Sequence, residues 1–219
     1  MQDDSGGMAA LAALGARSVP VVALGDRFVF GQQMEDVAGL IGLDYDPTPD
    51  LSPAELVARL DTVLAAAQRL IRQLPHHVLD QDVRERKRSH RELAHHIFRI
   101  AHGFLDAAET GGTLELAHLN APPPAAMTTV DQIADYGATV RRRIADWWQA
   151  EADKDAGRTM ATYWGKQTLH SVLERTTWHP AQHVRQLAMV LEGLGIVPDA
   201  PLGESDLAGL PLPEKVWDD

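Results

Sequence analysis

The chain has 219 residues and a mass of 23.9 kDa, with 45% apolar and 23% charged residues, ample material for a buried core. Twenty Lys and Arg against 31 Asp and Glu give a formal charge of −11, which disfavours a protein built to neutralise nucleic-acid phosphates. With no cysteines, disulfides, Cys-ligated zinc and thiol chemistry from the chain itself are excluded.

No run approaches the roughly 18–20 apolar residues of a spanning helix, and the acidic start Met1-Gln2-Asp3-Asp4-Ser5 lacks the basic and apolar regions of a signal peptide. The expectation is a soluble, cytoplasmic protein with neither membrane nor nucleic acid as partner.

From the start, residues 8–14 suit a helix closing at Gly15. Val19-Pro20-Val21-Val22-Ala23-Leu24 and Arg27-Phe28-Val29-Phe30 read as strands joined at Gly25-Asp26, and residues 35–41 as a helix ended by Gly42. Two prolines among the aspartates of Asp44-Tyr45-Asp46-Pro47-Thr48-Pro49-Asp50 mark a linker. The predicted organisation is therefore a small segment over 1–43, a linker over 44–52, a helical body over 53–197 and a tail over 198–219.

In the helical body, Leu56, Leu60, Val63, Leu64, Ala67, Leu70, Ile71 and Leu74 fall on one helical face. Further helices are predicted over about 89–108, 130–151 and 162–194, with a proline-rich loop over 120–126. Four long amphipathic helices imply a mainly α, four-helix bundle. The tail, rich in proline and glycine, is expected to wrap the surface.

The ten histidines are the compositional oddity. His179 and His183, at i and i+4, project from one face of the last helix within reach of one metal ion. The alternative is a pair of half-buried histidines bonded to backbone or carboxylate. Pro180 lies between them, and is expected either to bend the helix near Thr176 or to end it at His179. In the second helix Leu93, Ile97 and Ile100 define the core stripe; His96 borders it, whereas His95 lies about 100° to one side and is expected in solvent.

Ser89-x-Arg91-Glu92-Leu93-x-x-His96-Ile97 resembles the second-helix signature of the DinB/YfiT-like bundles. Thr168-Leu169, with His179, His183 and Arg185-Gln186-Leu187 following, resembles their last helix. The likeness covers about residues 51–197 and implies a three-histidine metal site of His96, His179 and His183. The family's usual histidine seven residues after Thr168 is Arg175 here. Three neutral imidazoles with open positions suit a catalytic zinc, and nickel, cobalt or iron also accept such donors.

The first segment, about 8–43, with Ala16-Arg17-Ser18-Val19-Pro20-Val21-Val22 and Phe28-Val29-Phe30-Gly31, resembles the C-terminal half of a glutaredoxin. That likeness implies that Val19 and Pro20 hold the backbone of a thiol, glutathione. The Gly31-Gln32-Gln33-Met34-Glu35-Asp36 stretch matches the glutathione grip imperfectly, and the opening strand, C-x-x-C motif and first helix are not in the sequence. Half a thioredoxin-like sheet leaves an edge to cover, so a homodimer is expected, as the bundle's family likeness also implies. The segment itself is either a non-catalytic remnant, the preferred reading, or part of a longer reading frame.

Three functions follow from these likenesses. One is a metal-dependent transferase, or thiol-dependent isomerase, joining a small thiol to an electrophile, with Arg175 gripping an anionic end and Trp178, Tyr163 or Trp164 lining the pocket. The second is a metal-activated hydrolase, for which no carboxylate falls on the His179/His183 stripe, Glu174 lying about 140° away. The third is a non-enzymatic metal-binding stress protein.

Overall fold

The computed structural model describes residues 5–16, 21–31, 34–84 and 87–217, in two units, Met1–Thr48 and Pro49–Asp219. In the first, helix α1 (Ser5–Leu14) precedes an antiparallel hairpin of β1 (Val21–Leu24) and β2 (Arg27–Phe30), with Val21 opposite Phe30 and Leu24 opposite Arg27. Helix α2 (Met34–Ile41) buries Val37, Ala38 and Leu40, and its Leu40 carbonyl accepts a 3.0 Å bond from the Arg27 guanidinium. The proposed thiol-holding pair Val19 and Pro20 lies outside the described residues, as do Gln32 and Gln33.

The second unit is built on four long helices: α3 (Pro53–Arg72), α4 (His90–Thr110), α6 (Val130–Ala150) and α7 (Leu169–Gly193), with a one-turn α5 (Leu116–Leu119) before α6. Each start is chemically marked. Ser52, Ser89 and Thr129 cap α3, α4 and α6 in reciprocal boxes with Glu55, Glu92 and Gln132, and Thr168 caps α7 through the Ser171 N–H. Such caps satisfy backbone donors that the first helical turn leaves unpaired.

Helices α3 and α4 each pack against both α6 and α7. The whole predicted α3 stripe from Leu56 to Leu74 is buried, meeting Leu93, Ile97, Phe98 and Phe104 of α4 and Leu173, Val184 and Leu187 of α7 in one core. Gly137 of α6 permits the closest approach: a Cβ there would lie 2.4 Å from the Phe98 ring.

Three sequence-based expectations are corrected. The last helix starts at Leu169, not Thr162, because β3 (Thr159–Thr162) and β4 (Gly165–Thr168) form an antiparallel hairpin. Gly165 turns it at φ 121, a conformation side-chain-bearing residues rarely adopt, and Thr168 then caps α7. The alternative that Pro180 ends a helix also falls, since α7 runs unbroken through it. Upstream, Thr176 and Thr177 hydroxyls donate to the Val172 and Leu173 carbonyls.

The third correction is His95, which is 4% exposed rather than solvated. Tyr136 of α6 stacks on it at 5.2 Å between ring centroids, and burial pushes its pKa down to about 4. Its flank of α4 is covered by α6, which the α4 sequence alone does not reveal. Tyr136 also meets His102 through a 2.6 Å hydrogen bond, within a polar seam where Arg143 pairs with Asp106 and Glu109.

The tail does wrap the surface. Helix α8 (Glu204–Leu207) and the segment 213–217 follow the bundle, with the Trp217 ring buried. Arg59 donates to the Ser205 carbonyl and Arg69 to the Ala200 carbonyl, tying the tail to α3.

Glu174 makes a pH-dependent contribution. Burial, with the charge of Asp50 added, raises its carboxyl from 4.5 to about 6. A carboxyl whose folded pKa lies above its unfolded value loses stability as pH rises from about 4.5 through about 6. Glu174→Gln should therefore melt above the parent at pH 8 and match it at pH 4, measured by thermal unfolding at both pH values. A variant less stable than the parent at pH 8 would show that the carboxylate makes a favourable contact.

Candidate metal centre

His96 comes from the second turn of α4, and His179 and His183 from successive turns of α7. Packing of α4 against α7 brings them together: each offers a ligand nitrogen, and the three nitrogens lie within 4.8 Å of one another. Ring centroids are separated by 5.6 Å (His96–His179), 5.0 Å (His96–His183) and 4.9 Å (His179–His183). His96 is buried, and the other two are half-buried. This is the set implied by the family likeness.

Two of the rings are oriented from behind. The Nδ1 of His96 bonds the Leu119 carbonyl at 3.0 Å, and the Nδ1 of His183 bonds Oε1 of Gln186 at 2.8 Å. Both partners are acceptors, so each Nδ1 carries the proton and the ring's lone pair is on Nε2. Outer bonds of this kind fix the ring angle and raise ligand basicity. Loop geometry explains the first: α5 ends at Leu119, directly before the proline-rich loop.

Burial and neighbouring charge keep the His96 and His179 rings neutral. Burial pushes the pKa of His96 down to about 2, helped by the charge of Arg88 and by neighbouring His183. Burial likewise holds His179 well below the usual histidine range, with His183, His96, Arg175 and Arg88 adding to the effect. Neutral imidazole is the ligating form, so the chemistry of the donor set fits a divalent transition metal.

The histidines line a cleft of about 460 Å³, whose other walls are Lys87, Arg88, Glu92 and the loop residues Asn120, Ala121, Pro122 and Pro123. The predicted aromatics are not among the residues lining this cleft, although the Trp178 ring lies 5.6 Å from that of His179. Tyr163, Trp164 and Trp178 instead surround Arg175: its guanidinium lies 4.9 Å from the Trp164 ring and 5.4 Å from the Trp178 ring, and donates to the Tyr163 hydroxyl at 3.2 Å. Two of these aromatics sit at the β3–β4 turn, which the expected longer helix concealed. Among the described residues Arg175 forms no ion pair, so the alternative of a bridge to Glu92 or Glu174 is not made.

Sequence reasoning passed over Glu92, Lys87, Arg88 and Gln186 as site residues. Glu92 carried a signal, since it precedes His96 by one turn and shares its face. Lys87 and Arg88 carried none, because the loop before α4 has no periodicity from which to read a direction.

The bundle superposes on the crystal structure of a DinB-like protein, YjoA, from Bacillus subtilis, with a TM-score of 0.54. The fold is DinB-like. The match spans 68% of this chain and 99% of the Bacillus protein at 15% identity, so the likeness lies in the helical architecture. No family model and no curated protein matches the chain. In the DinB-like bundle described here, the three-histidine cluster that could hold a metal ion joins α4 to α7. No helix of the described residues is long and apolar enough to cross a membrane.

Proposed function

We propose that the protein is a metal-dependent transferase that joins a small anionic thiol, of the glutathione class, to an electrophile. The observation that carries this reading is the three-histidine cluster opening on a cleft walled by Lys87 and Arg88. A divalent metal, zinc before nickel, cobalt or iron, would supply the positive charge that brings the pKa of a coordinated thiol or water towards neutrality. The chain's own residues do the rest. The Leu119 carbonyl and Gln186 orient His96 and His183. Lys87 and Arg88 favour an anionic substrate at the cleft, and asparagine and proline side chains narrow its far wall.

Arg175 supports the same substrate class. Its guanidinium is close enough to His179 to depress that ring's pKa, and it is stacked on tryptophan faces rather than paired with a carboxylate. Such packing holds the planar fork in place to receive a carboxylate in bidentate fashion. Arg175→Met should raise KM for the thiol about tenfold, the worth of one charge-assisted hydrogen bond, and leave metal content unchanged. Unaltered thiol affinity together with a lowered melting temperature would assign Arg175 to packing alone.

A second reading, hydrolysis, rests on Glu92, the carboxylate in the cleft. Its Oε2 already accepts from the Ser89 N–H at 2.8 Å and from the Ser89 hydroxyl at 3.1 Å, which favours a capping role over that of a base. The test is a screen of zinc-, nickel-, cobalt- and iron-loaded protein with glutathione and other small thiols against a chromogenic aryl halide. In the expected reaction the sulfur–carbon bond forms as the halide leaves. Turnover of esters or amides without thiol, abolished by Glu92→Gln, would establish hydrolysis instead.

A further inference from the structure

The segment 213–217 lies along α7, the helix that carries His179 and His183. Gln182 donates to the Val216 carbonyl at 2.7 Å, and Arg185 donates to the carbonyls of Pro213 and Glu214 at 2.8 and 3.1 Å. The Trp217 ring is buried to 7% exposure, with the Arg84 guanidinium 5.3 Å from its centroid. The segment is therefore fastened at several points, and one of them reaches the metal centre.

That point is Gln186, itself only 9% exposed. Its Nε2 donates to the Val216 carbonyl at 3.1 Å while its Oε1 accepts from His183 Nδ1 at 2.8 Å. A backbone carbonyl can only accept, so it compels the amide nitrogen to face Val216 and the amide oxygen to face His183. Rotated the other way, the carboxamide would set N–H against N–H at His183 and oxygen against oxygen at Val216. The tail carbonyl thus chooses the amide orientation, the amide oxygen chooses the imidazole tautomer, and the tautomer puts the lone pair on Nε2.

We propose that Gln186 is a positioning residue for the metal centre and that the 213–217 strap sets its orientation, so that metal affinity depends on tail docking. The inference rests on His183 being a metal ligand, as in the reading above. A carboxylate at position 186 would accept from His183 whichever way it turned, and would need no carbonyl to orient it. Strap and metal should therefore be coupled only while residue 186 is an amide.

The experiment measures zinc dissociation constants by chelator competition and the cobalt absorption spectrum, with melting of the metal-free protein as a separate control. Gln186→Leu should weaken zinc binding roughly 10- to 100-fold, the usual range for loss of an outer partner of a ligating histidine. Trp217→Ala, which removes the strap's anchor, should weaken zinc several-fold in the parent but not in a Gln186→Glu background, where the carboxylate already opposes the Val216 carbonyl and gains nothing from the strap. Gln182→Leu, which removes a strap bond without touching the buried ring, is read in the same two backgrounds should Trp217→Ala fail to fold. Zinc affinity unmoved by Gln186→Leu, or weakened equally by strap loss in both backgrounds, would overturn the proposal. If the parent protein binds neither zinc nor cobalt, the metal centre itself fails and this inference with it, a result distinct from a metal-binding parent that ignores Gln186.

Discussion

His183→Ala should lower metal affinity by roughly 10²- to 10³-fold, the largest functional effect expected of one substitution in this protein. A four-ligand zinc site is worth about 10–16 kcal/mol, so each ligand carries about 2.5–4 kcal/mol. His183 sits centrally in the cluster, 5.0 Å from His96 and 4.9 Å from His179 between ring centroids. Its loss leaves two nitrogens on different helices and strands Gln186 without its imidazole. Elemental analysis of the purified variant, beside a parent carrying about one divalent metal per chain, checks this. The metal-free fold should persist, because His183 is half-buried and the hydrophobic core does not depend on it. Metal retained at the parent's stoichiometry would remove His183 from the ligand set.

Gly137→Val should have the largest effect on stability. A Cβ at this position would lie 2.4–2.8 Å from three carbons of the Phe98 ring, which is fully buried and cannot swing away. Two further methyl groups add to the overlap. Overpacking of this kind costs about 3 kcal/mol, equivalent to a drop in melting temperature of roughly 6–12 °C for a unit of this size. The better helix propensity of valine over glycine offsets only a small part of it. In a Phe98→Leu background the penalty should shrink by about half, since the shorter side chain vacates the space that the ring occupies. A drop in melting temperature that is the same in both backgrounds would show that the strain arises elsewhere in α6.

The contact matters to the centre as well as to the fold. Phe98 follows His96 by two residues on α4, so the α4–α6 seam that Gly137 allows is one wall of the support behind that histidine. The polar side of the same seam holds His95, Tyr136 and His102. The His95 Nδ1 is buried there without a hydrogen-bond partner among the described residues.

How much of this was legible in the sequence follows from what periodicity encodes. A repeat of 3.6 residues states which side of a helix is apolar, and so the α3 stripe, the inward position of His96 and the shared face of His179 and His183 were readable residue by residue. Gathering those histidines from two helices into one set rested on family likeness, and packing of α4 on α7 brings their nitrogens within 4.8 Å. Periodicity does not state how wide the covered arc is. His95 was placed in solvent because it lies off the stripe of α4, yet α6 covers that flank.

The hairpin over 159–168 was hidden for a related reason: ten residues of mixed polarity extend a helical pattern as readily as they form two short strands, and the bond of Leu114 N–H to the Ala161 carbonyl comes from a distant loop. The same holds for Arg175, whose one-turn spacing from His179 was visible but whose tryptophan faces depend on where that hairpin turns. Gln186 and Val216 are thirty residues apart, and nothing in either residue announces the other. By itself the sequence determined the helices, their apolar faces and the histidine spacing, because these are local properties of a chain in helical geometry. Tertiary structure alone decided which carbonyl turns which imidazole, because a hydrogen bond between distant segments exists only once the helices have packed.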